Sequence, residues 1–168
     1  MIEEVFHKDS FFVSQYQGDE NQIQEHIKHL VSFDKGRSVS NNGGYQSNNI
    51  TFGFYDLINF AIKSLDSIGE KVVLNSFWAN VNRGNDYNAS HVHNLIGWSA
   101  VYYHKVCCEK STLNFHHLVP TVVEHADYNY VPKEKNMVFF KSHQPHSVSP
   151  CYGENHERIS IAFNFAKL

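Results

Sequence analysis

Two histidines lie two residues apart in the stretch ASHVHNLIGWSAVYY, just ahead of an apolar and aromatic run. Residues i and i+2 of a strand project to the same side, so His91 and His93 face a single ion if the chain is extended there. A pair of this kind is weakly diagnostic alone, because most of the twelve histidines in such a chain serve as surface or packing residues. The segment FFKSHQPHSVSP adds two more candidate ligands, His143 and His146. Three imidazoles bind Fe(II) or another borderline divalent ion while leaving coordination positions open for substrates.

A cation and a hydroxyl occur two residues apart in the last apolar segment, ERISIAFNF. Arg158, Ser160 and Asn164 share one face there, and the other face is apolar, with Ile159, Ile161, Phe163 and Phe165. This alternation predicts a strand that lines an interior holding a polar ligand. An arginine beside a serine hydroxyl is a natural clamp for a carboxylate. In the simpler interpretation, Arg158 lies on the surface and pairs with Glu154 or Glu157.

Composition favours one globular domain and argues against several function classes. The chain has 168 residues, 42% hydrophobic and 18% charged, so it can bury a core and is too apolar to be disordered. Its net charge of -3 gives no basic surface for nucleic-acid phosphates. The acidic start MIEEVFHKDS contains no long apolar run, so we expect neither a secretory signal nor a membrane anchor.

Three cysteines, two of them adjacent at Cys107 and Cys108, make a poor disulfide framework. We expect packing roles for this adjacent pair and a cytoplasmic location.

Two helices around a loop are predicted for residues 1–70. Apolar residues recur at helical spacing on both sides of the Gly-, Ser- and Asn-rich loop 34–49. The first helix has Ile23, Ile27, Leu30 and Val31 with Asp19 as its cap, and the second has Leu57, Ala61, Leu65 and Ile68 with Gly69 as its stop.

From Lys71 onward the chain consists of short β-branched or aromatic runs separated by turn-forming residues. Helices followed by a series of strands indicate an α+β fold that is mainly β, with a jelly-roll or cupin-like double sheet as its core. We therefore expect a single domain over residues 1–168. In it, residues 1–70 form a helical buttress and loop, and residues 71–168 form the β core.

Five phrases of the sequence, in this order, resemble the 2-oxoglutarate- and Fe(II)-dependent oxygenases, and more narrowly their small bacterial and phage branch. The phrases are GGYQS, FWANVNRGNDYNASHVH, WSAVYYHKV, FFKSHQPHSVSP and ERISIAFNF. The resemblance implies a double-stranded β-helix, with Fe(II) as metal cofactor and 2-oxoglutarate and O2 as cosubstrates. It also implies that decarboxylation of 2-oxoglutarate is coupled to oxidation, by default hydroxylation, of another substrate.

The resemblance further implies the metal ligands. His91 and His93 match the first two ligand positions, and His146 matches the distal histidine because the family places it before a small residue and a valine, as in PHSV. The superfamily normally has a carboxylate as its second ligand, and His93 stands in its place. A neutral imidazole cancels none of the metal charge, so the sequence leaves open whether His93 is a ligand or water takes its place. One alternative function is a three-His iron dioxygenase that works without 2-oxoglutarate. Another is a non-enzymatic β-sandwich that binds a metal or small ligand.

The resemblance places Arg158 and Ser160 on the strand that holds the far carboxylate of 2-oxoglutarate. It also brings the Tyr103 hydroxyl within reach of that cosubstrate, although a core tyrosine explains the residue equally well. Three asparagines are candidates for lining the pocket, namely Asn80, Asn82 and Asn164.

Four other histidines match no ligand pattern and are expected to be structural or exposed: His104, His116, His117 and His125. Loops 34–49 and 83–90 are expected to contact the oxidised substrate, yet they contain no recognisable specificity motif. The sequence therefore leaves the substrate, a small molecule or a peptide, undetermined, and it leaves the oligomeric state undetermined as well.

Overall fold

The computed structural model describes residues 1–6, 9–93, 96–106, 108–116, 127–153 and 156–168. Two helices and twelve strands lie in these ranges, and the strands form two sheets in which every neighbouring pair is antiparallel. The larger sheet contains, in spatial order, β1 (Ile2–Phe6), β2 (Asp9–Gln15), β10 (Asn136–Lys141), β7 (Gly97–Lys105), β12 (Glu157–Lys167), β5 (Val72–Arg83) and β4 (Tyr45–Gln46). The smaller sheet contains β3 (Asn41–Asn42), β6 (Tyr87–His91), β11 (His146–Val148), β8 (Leu113–Phe115) and β9 (Tyr128–Tyr130).

The two sheets pack face to face around an aromatic core, in the predicted jelly-roll arrangement. Phe11 on β2 stacks on Phe115 on β8 with 5.0 Å between ring centroids, and Phe140 on β10 meets the same Phe115 ring edge-on at 5.2 Å. All three rings are almost completely buried. The prediction of a mainly β fold with a double-sheet core is confirmed.

Both helices cover the outer face of the larger sheet. Helix α1 (Glu20–Phe33) begins at Asp19, whose carboxylate accepts hydrogen bonds from the backbone N–H groups of Asn21 and Gln22, as expected of an N-cap. Its buried residues are Ile23, Ile27 and Leu30, whereas Val31 is exposed. Helix α2 (Tyr55–Asp66) buries Leu57, Ala61 and Leu65 in the same cluster. Within the described residues, neither helix has the length and hydrophobicity that crossing a membrane requires.

Strand β12 runs through the centre of the larger sheet, between β5 and β7. Its apolar residues Ile159, Ile161, Phe163 and Phe165 pack in the cluster that contains both helices. The alternate residues from Arg158 to Asn164 therefore point to the space between the sheets, as the period-2 pattern predicted. A central strand thus carries polar side chains in a buried position.

The prediction that residues 1–70 form only helices and a loop was wrong, because β1, β2, β3 and β4 lie in this region. Strand β2 pairs with β1 and with the distant β10. It buries Phe11 between the sheets, while Phe12 packs on the opposite face against Trp98, with ring centroids 5.8 Å apart. A strand that is apolar on both faces lacks the alternating pattern that makes strands recognisable in a sequence.

The expectation that Cys108 is only a packing residue was also wrong. It forms a disulfide with Cys151, 43 residues further along, with 6.5 Å between the two Cα atoms. The fold brings together two loops whose proximity the sequence does not reveal. The neighbouring Cys107 lies outside the described residues.

Candidate metal and cosubstrate site

Three histidine side chains lie close together where β6 ends and β11 begins in the smaller sheet. His91 ends β6 and lies directly opposite His146, which begins β11, so the antiparallel ladder itself brings the two rings together. His93 follows two residues after His91. The ring centroids are 4.3 Å apart for His91 and His146, 5.1 Å for His93 and His146, and 5.2 Å for His91 and His93. One nitrogen from each ring lies within 4.8 Å of the others, which gives the trio the geometry of a metal-binding group.

Backbone carbonyls fix the tautomers of two of these rings. The Nδ1 atom of His91 lies 2.7 Å from the carbonyl oxygen of Ala89, and that of His146 lies 2.9 Å from the carbonyl oxygen of Gln144. Because a carbonyl oxygen only accepts, Nδ1 donates in both rings and Nε2 keeps its lone pair. This arrangement orients histidine ligands in metalloproteins. The His93 ring packs against Trp78, with 5.8 Å between centroids.

Burial keeps the three imidazoles in the neutral form that binds metals. Desolvation lowers the pKa of His146 well below its ordinary value and also lowers the pKa of His91. Burial, together with the charge of His91, lowers the pKa of His93 to about 4. Protons therefore compete poorly with a metal ion at neutral pH.

The same burial predicts a pH-dependent stability of the metal-free protein. His93 has a pKa of about 4 in the folded chain and about 6.5 when unfolded, so the unfolded chain binds more protons between these values. We expect the free energy of unfolding to fall as the pH is lowered from 6.5 towards 4, with His93 contributing at most about 1.4 kcal/mol per pH unit. Urea denaturation between pH 7 and pH 4 measures this, and His93→Gln should show a shallower decline. Identical slopes for the two proteins would contradict the assignment.

Polar side chains from three adjacent strands form a row beside the histidines. Ser160 on β12 lies opposite Asn80 on β5 and Tyr103 on β7, and all three are buried. Neither the Tyr103 hydroxyl nor the Asn80 amide oxygen has a hydrogen-bond partner among the described residues. Burial raises the pKa of Tyr103, so its hydroxyl stays protonated and can donate. All three side chains line a small inner cavity of about 40 Å³, which His91, His93 and His146 also line. Buried polar atoms left open in this way are usually satisfied by a ligand or water.

Arg158 supplies the positive charge of this inner cavity and is only 2% exposed. Its guanidinium donates to the Ser111 hydroxyl and, over 3.3 Å, to the backbone carbonyl of Ser149. Of the two partners in the simpler interpretation, Glu157 forms ion pairs with Arg83 and Lys105, and Glu154 lies outside the described residues. None of the described residues that line the inner cavity is Asp or Glu. The cavity is therefore suited to an anion.

The remaining residues considered in the sequence analysis differ in whether they line a cavity or join the histidine trio. Asn164 lines a neighbouring outer cavity, while Asn82 is buried but lies outside both cavities. His143 is exposed, and among the two rival histidines it is His146 that joins the trio. His104 bonds to Glu20 and Gln24, and His116 to Asp127 and Ser147, whereas His117 and His125 lie outside the described residues.

The outer cavity, about 410 Å³ in volume, contains residues that the sequence did not single out. Arg37 lies over the Trp78 ring, 5.5 Å from its centroid, and donates to Asn49 over 3.0 Å. Gln46 is buried there with its amide oxygen unpartnered among the described residues. The loop 34–49 indicated this region, but only its docking against β5 reveals which of its side chains face inward. Both cavities are lined by Ser40, Trp78, His91 and His93, so the histidines stand between them.

Comparison with known protein families identifies the family of this chain. A sequence model described as "Putative 2OG-Fe(II) oxygenase" matches residues 76–164, which is more than half of the chain. The match includes Asn80, Tyr103 and Ser160, the inner row of polar residues beside the histidines. The chain belongs to this family. The 2OG-Fe(II) oxygenases are enzymes that use Fe(II), 2-oxoglutarate and O2, so the predicted family and cofactors are confirmed.

Solved structures similar to this oxygenase support the same fold. A prolyl-4-hydroxylase from Pseudomonas putida has 12% sequence identity and a TM-score of 0.64, with 96% of this chain and 94% of that chain covered. The viral collagen prolyl hydroxylase of Paramecium Bursaria Chlorella virus-1, a 2OG complex, has 14% identity and a TM-score of 0.64, covering 93% and 96%. HygX from Streptomyces hygroscopicus, with nickel, 2-oxoglutarate and hygromycin B bound, has 9% identity and a TM-score of 0.68, covering 93% and 82%. No curated protein sequence matches the chain.

Proposed function

We propose that this 2OG-Fe(II) oxygenase is a hydroxylase that binds Fe(II) through His91, His93 and His146 and 2-oxoglutarate through Arg158 and Ser160. The observation that carries the proposal is the convergence of three neutral imidazoles beside a buried cavity. Its lining includes an arginine and two polar atoms, on Tyr103 and Asn80, that have no hydrogen-bond partner among the described residues. The donor set suits the metal, because imidazole nitrogen is a good ligand for Fe(II). When bound, the iron supplies the activation of O2 that couples decarboxylation of 2-oxoglutarate to substrate oxidation.

The protein positions 2-oxoglutarate through its charge and its hydrogen-bond donors. We assign the far carboxylate to the Arg158 guanidinium and the Ser160 hydroxyl, with the Tyr103 hydroxyl as a further donor. Ser111 and the Ser149 carbonyl hold the guanidinium in place. Because this charge is buried, its attraction for a carboxylate is stronger than it would be in water.

His93 makes the charge of 2-oxoglutarate more important here than in relatives with a carboxylate ligand. Three neutral imidazoles leave both positive charges of Fe(II) uncompensated by the protein, and none of the described lining residues of the inner cavity is acidic. A dianionic cosubstrate neutralises the metal and the arginine together more completely than a neutral ligand does. We therefore expect metal and 2-oxoglutarate to bind with positive cooperativity.

We assign the oxidised substrate to the outer cavity, because the histidines separate it from the cosubstrate cavity. Arg37, Gln46 and Asn164 give it a polar lining. Apart from Arg37 and the histidines, none of the described lining residues is ionisable, so the outer cavity favours a polar substrate with an anionic group. A small molecule and an exposed peptide side chain both fit this description.

His93 also favours a second candidate, a three-His iron dioxygenase that oxidises thiols without 2-oxoglutarate. The family match argues against it, because the 2OG-Fe(II) oxygenases use 2-oxoglutarate. The buried arginine does not separate the two functions, because a guanidinium binds the carboxylate of a thiol amino acid as well as that of 2-oxoglutarate. The two functions differ in whether O2 consumption requires 2-oxoglutarate.

Succinate release tests the proposal directly. Protein loaded anaerobically with Fe(II) is given 2-oxoglutarate and air without any other substrate. With ascorbate present to supply the two electrons that the iron would otherwise take from a substrate, we expect slow uncoupled turnover that produces succinate and CO2 and consumes O2 and 2-oxoglutarate in equal amounts. Iron-loaded protein that consumes O2 with cysteine or cysteamine but forms no succinate would instead support the thiol dioxygenase. Iron-loaded protein that turns over neither would overturn both.

A further inference from the structure

Outside the histidine trio, a second group of side chains able to bind a metal occurs where two connections meet. Cys108 lies after β7, Cys151 lies after β11, and His156 immediately precedes β12. The Nδ1 atom of His156 is 3.0 Å from the sulfur of Cys151, and all three ligand atoms lie within 4.8 Å of one another. Cys151 is buried, and the other two side chains are half-buried.

The chain around His156 is arranged to hold its ring beside the sulfur atoms. The His156 backbone N–H donates to the Gly153 carbonyl over 3.2 Å. A Cβ atom at Gly153 would lie 2.9 Å from the His156 ring, so any larger residue would displace the imidazole. The ring therefore has a defined position beside Cys151.

Two thiolates and one imidazole form a donor set typical of Zn²⁺, in which the fourth position is left to water or another ligand. The disulfide and the metal-bound form use the same sulfur atoms, so each excludes the other. In a reducing compartment, such as the cytoplasm expected from the sequence, the thiol form prevails. We propose that the reduced chain binds a second, thiophilic divalent cation such as Zn²⁺ through Cys108, Cys151 and His156.

This cation would brace the cosubstrate end of the inner cavity. The backbone N–H of Ser111 donates to the Cys108 carbonyl over 3.3 Å, and Ser111 and Ser149 both accept from Arg158. Cys151 follows Ser149 by two residues, and His156 precedes Arg158 by two. A metal that joins the three ligands therefore ties together the segments that hold the guanidinium, without itself facing the inner cavity.

Cobalt binding to wild-type protein in two redox states tests the proposal. A phosphine and water reduce the disulfide to two thiols, and the phosphine becomes phosphine oxide. After removal of the reagent under nitrogen, Co²⁺ displaces the thiol protons and reports thiolate ligation by a charge-transfer absorption band. We expect two Co²⁺ per chain and this band in reduced protein. In oxidised protein we expect one Co²⁺ and no band. Zn²⁺ should displace the thiolate-bound cobalt.

Variants separate the two sites. Cys151→Ser should lose the thiolate band and keep one cobalt, whereas His146→Ala should keep the band and lose the other cobalt. Since losing even an outer-shell partner weakens metal binding about tenfold to a hundredfold, we expect His156→Ala to weaken the thiolate site by about a hundredfold or more. His143→Ala, at an exposed histidine, is the matched control and should bind both ions. No band in reduced wild type, or an equal band in Cys151→Ser, would overturn the proposal.

Discussion

Replacing His146 by alanine is expected to abolish Fe(II) binding and succinate formation while leaving the fold intact. His146 is the most buried of the trio, and its ring is oriented from both sides, by the Gln144 carbonyl and by the edge of Phe140 at 4.6 Å between centroids. Loss of a metal ligand costs more than loss of an outer-shell partner, so we expect metal affinity to fall by about a hundredfold or more. Equilibrium dialysis with Fe(II) under nitrogen and the succinate assay measure the two effects.

The control for this variant is His143→Ala. His143 is exposed and lies three residues from His146, so it shares the local sequence without joining the trio. It should bind iron and form succinate as the wild type does. If His143→Ala lost activity and His146→Ala kept it, the assignment of the distal ligand would be wrong. Far-ultraviolet circular dichroism checks that both variants are folded.

Replacing Arg158 by glutamine is expected to raise the KM for 2-oxoglutarate by about a hundredfold, with a smaller effect on kcat. A hydrogen-bonded ion pair to a buried carboxylate contributes about 1.5–3 kcal/mol, which corresponds to roughly tenfold to more than a hundredfold in affinity. The metal ligands are untouched, so Fe(II) binding should stay at the wild-type level. Steady-state succinate formation at varied 2-oxoglutarate gives the two kinetic constants separately.

Two further variants make this result interpretable. Arg83→Gln removes an exposed arginine of the neighbouring strand, which pairs with Glu157, and should leave the KM for 2-oxoglutarate unchanged. Ser160→Ala removes a hydroxyl of the inner row while keeping the arginine, and should raise the KM by about tenfold, the effect of losing one hydrogen bond. An unchanged KM in both Arg158→Gln and Ser160→Ala would exclude this end of the cavity as the carboxylate site.

Some features of the site follow from local sequence alone. The alternation along β12 placed Arg158 and Ser160 on the polar face of a strand, and the structure has them there. The rings of His91 and His93 lie close together as predicted, with centroids 5.2 Å apart, although β6 ends at His91 and His93 lies beyond the strand. Helix α1 and its Asp19 cap were likewise predicted from the local sequence. Period and capping depend on neighbours within a few residues, so the sequence contains the necessary information.

Long-range pairing decided the rest. His146 meets His91 only because β11 pairs with β6, and Ser160 meets Asn80 and Tyr103 only because β12 lies between β5 and β7. The sequence by itself predicted which side chains are candidates for binding a metal and a carboxylate, and it predicted the face of β12 that Arg158 and Ser160 occupy. Only the tertiary structure revealed that β1 and β2 belong to the larger sheet, that Cys108 contacts Cys151, and which side chains line the outer cavity. These depend on strand order and loop docking, which join residues too distant in the chain for any local periodicity to report.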